Sequence, residues 1–87
     1  MQKKFYVYII QSGKDKTFYT GYTDNLIRRI YEHNHSNCGY TKSKKPWNLV
    51  WYCVFSDKNK AENFEKYLKS GSGIAFMKKR LINPPKL

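Results

Sequence analysis

The sequence contains few acidic residues, few cysteines and no long apolar run. Only 6 Asp and Glu residues accompany 17 Lys and Arg residues. Two cysteines, Cys38 and Cys53, are too few for a disulfide framework and lack the CxxC spacing of a zinc site. We interpret them as reduced thiols of a cytoplasmic protein. The longest apolar run, residues 5–10, is far too short to cross a membrane, and the first residues show no signal-peptide pattern.

The chain length is that of one small domain with a limited core. We expect a single domain over residues 1–83 of the 87, and a disordered tail over residues 84–87 that starts at Pro84 and Pro85. The chain compensates with aromatic side chains, since 8 Tyr, 5 Phe and 2 Trp can each bury a large area. A folded domain is therefore predicted.

The net charge of +11 is the strongest global signal. A soluble domain of this size needs less charge, so a polyanionic partner is indicated, and nucleic acid is the commonest one. A membrane surface is the competing partner, but it favours one amphipathic helix with clustered bases and a bulky apolar face. The basic residues here are spread over loops and several helices, which favours nucleic acid. A domain whose charge is incidental to a structural or partner-binding role stays open as an alternative.

Apolar and turn patterns predict an α+β fold of order β-β-α-β-α-α, with a small three-stranded antiparallel sheet flanked by helices. Gly21 within the second strand indicates a bulge or a close backbone approach. A long polar loop is predicted over residues 35–48. The predicted strands are 5–11, 17–23 and 49–55, and the predicted helices are 25–34, 56–70 and 73–82.

Polar residues at the predicted helix starts are candidate N-caps. They are Asp24 for the first helix, Ser56 or Asp57 for the second and Ser72 for the third. On the first helix, an apolar stripe is expected to pack on the sheet. Its members are Leu26 and Ile30, with Ile27 and Tyr31 adjacent.

Short motifs along the chain resemble those of the GIY-YIG nuclease superfamily. "YVY" at residues 6–8 stands where the family has GIY, and "YTG" at residues 19–21 stands where it has YIG. "DNLIRRIYEH" follows, and a glutamate lies later within "NFEKYLKSGSG". The resemblance extends over residues 5–81 and is strongest to the small stand-alone, single-domain branch. The family's signature residues correspond here to Tyr8, Tyr19, Gly21, Arg29, His33 and Glu65.

This resemblance implies an endonuclease that hydrolyses DNA phosphodiester bonds, with DNA repair or recombination as its setting. It implies one Mg²⁺ or Mn²⁺ ion bound by Glu65, and the sequence lacks the carboxylate cluster of a two-metal nuclease. Arg29 would grip the scissile phosphate. Tyr8 would be the general base, although a phenol with a pKa near ~10 needs help at neutral pH. Tyr19 and His33 would relay its proton or orient the phosphate.

Other basic residues are expected to contact the nucleic-acid backbone. They are Arg28, Lys42, Lys44, Lys45 and Lys69. We expect a monomer that has no small-molecule cofactor and no membrane contact. Each role has a plainer alternative: Tyr8 as core, Arg28 and Arg29 as a solvated helix face, Glu65 as a helix-stabilising partner of Lys69, and Glu62 as the carboxylate instead. A non-catalytic nucleic-acid-binding module on the same fold is the alternative function.

Overall fold

Three antiparallel strands form one sheet, in the order β2-β1-β3. The structure is a computed structural model that describes residues 3–35 and 40–82. The predicted α+β fold and its order β-β-α-β-α-α are confirmed, whereas the tail predicted over residues 84–87 lies outside the described residues. None of the described helices has both the length and the apolarity that a bilayer crossing needs. The strands are β1 Phe5–Ser12, β2 Phe18–Thr23 and β3 Trp47–Phe55, and the helices are α1 Leu26–His35, α2 Lys58–Lys69 and α3 Gly71–Phe76.

Strand β1 is buried on both faces, as its unbroken apolar sequence predicts. In the pairing register, Tyr8 lies opposite Gly21 on β2 and opposite Tyr52 on β3. Residues directly opposite one another project to the same face, and successive residues on one strand alternate. The tyrosines of "YVY" therefore share one face of the sheet, and Val7 and Ile9 project to the other.

The two faces of the sheet have different coverings. Helices α2 and α3, with the π-helical turn Met77–Leu81 that continues α3, cover the face of Val7 and Ile9. We call it the apolar face, since its buried residues are Val7, Ile9, Ala61, Leu68 and Met77. Helix α1 covers the opposite face, which we call the polar face. Its buried apolar residues are Tyr8, Ile10 and Trp47, and it also holds the buried polar residues His33 and Thr41.

Two of the predicted N-caps are wrong by one or two residues. Helix α1 is capped by Asn25, whose Oδ1 accepts a hydrogen bond from the Arg28 backbone N–H at 3.0 Å. Asp24 instead pairs with the Arg28 side chain at 3.5 Å. Ser70 caps α3, because its hydroxyl oxygen accepts from the Gly73 N–H at 3.1 Å, so Ser72 is not the cap. Asp57 caps α2, which resolves the choice between Ser56 and Asp57.

The apolar stripe of α1 is narrower than predicted. Leu26 and Ile30 pack against the polar-face core, as expected. Ile27 is 85% exposed and Tyr31 is 61% exposed, so the prediction that they pack on the sheet is wrong. The Tyr31 ring stacks on His35 instead, with ring centroids 3.9 Å apart.

The polar loop predicted over residues 35–48 is shorter and partly regular. Helix α1 extends through His35, a 3₁₀ helix spans Tyr40–Lys44, and β3 begins at Trp47 rather than at Leu49. Trp47 is 3% exposed, and the register places it opposite Ser12 at the end of β1. Because Trp47 is buried in the core, β3 begins two residues earlier than predicted, and residues 40–46 are held against the polar face.

Candidate active site

The β1–β2 hairpin brings the two tyrosine motifs into contact. The Tyr8 side chain is 1% exposed and lies across Gly21, so a Cβ added to Gly21 would be 2.4 Å from the Tyr8 hydroxyl oxygen. Any side chain larger than hydrogen would therefore displace the phenol. The close approach predicted at Gly21 is confirmed, and its physical reason is the space that the Tyr8 hydroxyl occupies.

Helix α1 supplies a buried histidine to this hydroxyl. His33 is 4% exposed, and its Nε2 is 2.8 Å from the Tyr8 hydroxyl oxygen. The other ring nitrogen, Nδ1, is 3.2 Å from the hydroxyl oxygen of Thr41 in the 3₁₀ helix. Both nitrogens of the imidazole thus have protein partners, as buried polar groups require.

Burial sets the protonation states of this pair. It raises the pKa of Tyr8 to about 12, against the lowering effect of the hydrogen bond and positive charge of Arg29. Burial also lowers the pKa of His33 to about 4, and the charge of Arg29 lowers it further. At neutral pH the phenol is protonated and the imidazole is neutral. These protonation states allow two neutral tautomers of the ring. With the proton on Nδ1, the Tyr8 hydroxyl donates to Nε2 and the Nδ1–H group donates to the Thr41 hydroxyl oxygen; with the proton on Nε2, both directions reverse.

The two adjacent arginines of α1 have different environments. Arg29 lies one turn before His33, is half-buried, donates to Glu32 at 3.0 Å, and is close enough to Tyr8 to lower the pKa of the phenol. Arg28 is exposed and pairs with Asp24 and Glu32 at 3.5 and 3.7 Å. The helix register thus directs Arg29 to the tyrosine cluster and Arg28 to solvent.

Helix α2 contributes a carboxylate to the same cluster. Glu65 acts on Tyr8 through its negative charge, which raises the pKa of the phenol. The Glu65 side chain is 16% exposed, and its Oε2 is 2.6 Å from the Nζ of Lys69. The Lys69 Nζ lies 5.5 Å from the Tyr19 ring centroid, and the Tyr19 and His33 centroids are 5.3 Å apart.

This carboxylate is a suitable ligand for one divalent cation. Among the described residues, no group of three or more His, Cys, Asp or Glu side chains could hold a metal ion. Mg²⁺ commonly takes one or two carboxylates and completes its shell with waters and phosphate oxygens. Glu65 already holds a cation, the ammonium group of Lys69, and its oxygen donors suit a hard metal.

Comparisons with known proteins identify the family of this chain. The family model of the GIY-YIG catalytic domain matches residues 4–79.

The chain belongs to the GIY-YIG family. GIY-YIG domains are generally divalent-metal-dependent endonucleases, and their fold implies a nucleic-acid substrate.

Relatives of the same size are found in several bacteria. UPF0213 protein CPE1444 of Clostridium perfringens is 44% identical over 66 residues, which are 74% of this chain and 69% of that protein. A UPF0213 protein of Pediococcus pentosaceus is 36% identical over 83 residues, 91% of this chain and 86% of that one. The solution NMR structure of UPF0213 protein BH0048 from Bacillus halodurans has a TM-score of 0.59 and 31% identity, and the match covers 93% of this chain and 88% of the other. All three are small single-domain GIY-YIG proteins.

The structure brings together the catalytic residues predicted for this GIY-YIG domain. Glu65 pairs with Lys69, as expected if it only stabilises the helix, but its charge also raises the pKa of Tyr8. Tyr8 is both a core residue and the centre of the polar cluster, so burial alone does not decide its role. The clustered residues are Tyr8, Tyr19, Arg29, His33 and Glu65.

The basic residues predicted to contact nucleic acid are less concentrated. Lys69 lies at the cluster, whereas Arg28 lies on the outer side of α1. Lys44 pairs with Asp15 at 2.5 Å and holds the pKa of that carboxyl well below its usual range. Lys42 is exposed and Lys45 is half-buried on the same segment. These lysines therefore sit beside the site on a segment that is anchored to the β1–β2 turn.

Sequence reasoning missed Thr41 and the structural role of Trp47. The Trp47 indole N–H donates to the Thr41 carbonyl at 2.9 Å. Asn34, the residue after His33, accepts from the Trp47 backbone N–H at 2.6 Å and donates to its carbonyl at 3.1 Å. Together these bonds fix Thr41 beside His33. A threonine six residues before a tryptophan is not a recognisable signal, because the contact depends on how the segment folds back on α1.

Proposed function

We propose that this GIY-YIG domain hydrolyses phosphodiester bonds in DNA with the help of one Mg²⁺ or Mn²⁺ ion. The observation that carries the proposal is the convergence of groups from β1, β2, α1 and α2 on the Tyr8 hydroxyl. The decisive contact is the 2.8 Å hydrogen bond from that hydroxyl to His33, beside Arg29 and Glu65. Purely structural packing does not require a phenol, an imidazole, a guanidinium and a carboxylate in one place.

In this proposal Arg29 binds the scissile phosphate. Its guanidinium already lies beside the Tyr8 hydroxyl, and paired N–H donors match the oxygens of a phosphate. Fixed donors that stabilise charge developing on the phosphate lower the reaction barrier. Arg28 and the lysines at 42, 44, 45 and 69 would contact backbone phosphates, which positions the strand without reading its sequence.

The Tyr8–His33 pair supplies a route for the proton of the attacking water. As the Tyr8 oxygen takes that proton, the phenol passes its own proton to Nε2 of His33, which becomes imidazolium. In its Nδ1–H tautomer the imidazole accepts this proton on Nε2. Burial lowers the pKa of His33 to about 4, which keeps the ring neutral at rest and makes the imidazolium short-lived, so it would pass the proton on to the leaving oxygen or to solvent. Tyr8 alone is a poor base, since burial raises its pKa to about 12. Tyr19, whose ring centroid is 5.3 Å from that of His33, would help to orient the phosphate.

Glu65 would hold the divalent ion. When bound, such an ion neutralises charge on the phosphate and primes a water for attack. The ammonium of Lys69, 2.6 Å from Glu65, occupies the carboxylate when no other cation is present. Binding of the ion would therefore release Lys69 toward the substrate backbone.

A cleavage screen tests this function most directly. Labelled DNA duplexes, single strands and branched junctions, and an RNA strand, are incubated with the protein in Mg²⁺, Mn²⁺ or chelator. We expect cutting of at least one DNA substrate that needs metal and is lost in Glu65→Ala. Glu62→Ala, one turn earlier on α2, is the matched control and should retain activity. Cutting by Glu65→Ala at the parent rate would overturn the assignment of the metal ligand.

One observation favours a second function, a non-catalytic nucleic-acid-binding module. Glu65 is already neutralised by Lys69, and the Tyr8 hydroxyl is already bonded to His33, so the cluster is internally satisfied. Salt-sensitive binding of DNA without cutting in any metal would identify this function.

The setting is part of the proposal as well. A role in DNA repair or recombination follows from the family's substrate, and a cytoplasmic location follows from the sparse cysteines. We also propose a monomer. Sedimentation at several protein concentrations, with and without DNA, tests the last point.

A further inference from the structure

A groove outside the polar cluster opens beside Tyr19 and Lys69. It has a volume of about 490 Å³ and lies between β2, an edge strand of the sheet, and the α2–α3 pair. Its lining includes Tyr19, Leu68, Lys69, Ile74, Met77 and Lys78. Because Tyr19 and Lys69 belong to both, the groove is continuous with the proposed catalytic site.

The groove combines an apolar floor with a basic rim. Leu68 and Met77 are nearly fully buried beneath it, and Ile74 forms a wall that is 37% exposed. Lys69 and Lys78 are the charged residues of the lining. No carboxylate is among the lining residues, and Glu65, outside the lining, pairs with Lys69 at 2.6 Å. Such a combination suits a ligand with a flat apolar body and attached negative charges.

Two other surface depressions of this domain differ in charge. One of about 330 Å³ is lined by Asp24 together with Lys3 and Lys58, and one of about 530 Å³ is lined by Asp24. The second is lined by no lysine or arginine at all. A polyanion would therefore find charge complementarity in the groove beside Tyr19, and not in the depression beside Tyr52.

We propose that this groove binds one unpaired base of the substrate strand, next to the phosphate that the catalytic site would cut. The proposal rests on the proposed function, because it takes the strand to run through that site. The base would lie on Leu68, Met77 and Ile74, and its flanking phosphates would meet Lys69 and Lys78. A base within a duplex would first have to be flipped out of its stack, at a cost of a few kcal/mol, so the groove favours single-stranded or branched nucleic acid.

Two matched pairs of variants test the groove. Lys78→Ala is compared with Lys79→Ala, which removes the same charge from an exposed neighbour outside the lining. Ile74→Glu is compared with Val54→Glu, which places the same charge at a 46% exposed apolar position on β3. Each variant is checked for folding by its melting temperature.

Affinity is measured by fluorescence anisotropy with a 12-nucleotide thymidine strand and a 12-base-pair duplex, in chelator so that no cutting occurs. We expect Ile74→Glu to weaken single-strand binding at least about 5-fold more than Val54→Glu, since it places a carboxylate on the apolar contact of the base and beside the phosphates that would meet Lys69 and Lys78. The duplex affinities of the two variants should match. Lys78→Ala should likewise lose more single-strand affinity than Lys79→Ala. Replacing the bases of the probe with abasic residues should remove the difference within the Ile74 pair.

Equal single-strand affinities within both pairs of variants would contradict the proposal that the groove binds an unpaired base. The proposed function is tested separately, because binding is read without metal. If the protein cuts DNA and its groove variants bind like their controls, the proposed function is supported and the proposed base-binding groove is rejected. If the protein never cuts but the variants and their controls differ in single-strand affinity as predicted, the groove is supported as a binding site of a non-catalytic module. If the groove instead takes an apolar side chain of a partner protein, neither probe will distinguish the variants.

Discussion

The two faces of the sheet bury side chains of opposite chemistry. On the apolar face, Val7 and Ile9 pack against α2 and α3 with aliphatic and sulfur neighbours. On the polar face, Tyr8 lies between them in sequence but meets an imidazole, a guanidinium and the charge of a carboxylate. One strand thus contributes to both environments, because its side chains alternate between the faces.

The two faces therefore have different roles: the apolar face mainly stabilises the fold, and the polar face holds the groups proposed for catalysis. Apolar burial is non-directional and stabilises the fold through area removed from water. Buried polar groups stabilise it only when each is hydrogen-bonded, so the polar face must satisfy Tyr8, His33 and Thr41 against one another. A small domain can keep an ionisable cluster in its interior because the apolar face contributes most of the apolar area removed from water, and this area stabilises the fold.

Ile9→Ala is the largest expected change on the apolar face. Ile9 is fully buried, so its truncation should lower the free energy of unfolding by about 2–5 kcal/mol. Denaturant titration gives this value. Leu49→Ala, at a 40% exposed position, is the control and should cost much less. Cleavage per folded molecule should match that of the parent, and a larger loss would show that the two faces are not separable.

Arg29→Ala is the corresponding change on the polar face. Loss of one donor to a charged transition state commonly costs about 2.7–4 kcal/mol, so cleavage should fall about 100-fold or more. Arg28→Ala is the control on the neighbouring exposed residue and should mainly weaken binding. The two variants are compared by single-turnover cleavage. Equal rates for both would remove Arg29 from the proposed site.

Gly21→Ala tests the contact between the two tyrosine motifs. The new Cβ would be 2.4 Å from the Tyr8 hydroxyl oxygen and 2.6 Å from its Cζ, so the ring must move. Overpacking of this kind costs about 1–3 kcal/mol of stability, and it should also reduce cleavage by breaking the bond to His33. Gly71→Ala, where nothing lies within 4 Å, is the control and should be nearly neutral. A neutral Gly21→Ala would contradict the tight approach.

Thr41→Val should give the smallest effect. It removes the acceptor for the His33 Nδ1–H and leaves that donor buried, at a cost of about 1 kcal/mol. The ¹⁵N shifts of the His33 ring report the tautomer, which should be Nδ1–H in the parent and less uniform in the variant. Thr41→Ser keeps the hydroxyl and should restore the parent spectrum. An Nε2–H tautomer in the parent would reverse the direction of the Tyr8 hydrogen bond.

Much of this fold could be predicted from local sequence. The central strand, the hairpin and the close approach at Gly21 follow from apolar runs, turn residues and a glycine within a strand. The N-caps of α1 and α3 were misplaced because Asp24 and Asn25, or Ser70 and Ser72, are chemically equivalent candidates. Only the backbone geometry distinguishes them.

Other features depend on tertiary contacts that local patterns do not encode. Ile27 and Tyr31 have the same i, i+4 spacing as Leu26 and Ile30, yet they lie on the outer side of α1, and Ile27 is 85% exposed. The convergence of Arg29, His33 and Glu65 was predicted from the family resemblance and not from spacing. Thr41 escaped prediction because its partner, His33, lies eight residues away across a folded-back segment.

The central claim, that the Tyr8 hydroxyl serves chemistry and not only packing, is tested by Tyr8→Phe. Tyr52→Phe is the matched control, since Tyr52 lies opposite Tyr8 on β3 and is 50% exposed. Cleavage rate, melting temperature and DNA affinity are measured on both variants. We predict that Tyr8→Phe binds DNA like the parent and loses about 1 kcal/mol of stability but does not cut, whereas Tyr52→Phe cuts normally. Cutting by Tyr8→Phe at the parent rate, with a lower melting temperature, would show that Tyr8 is a core residue alone.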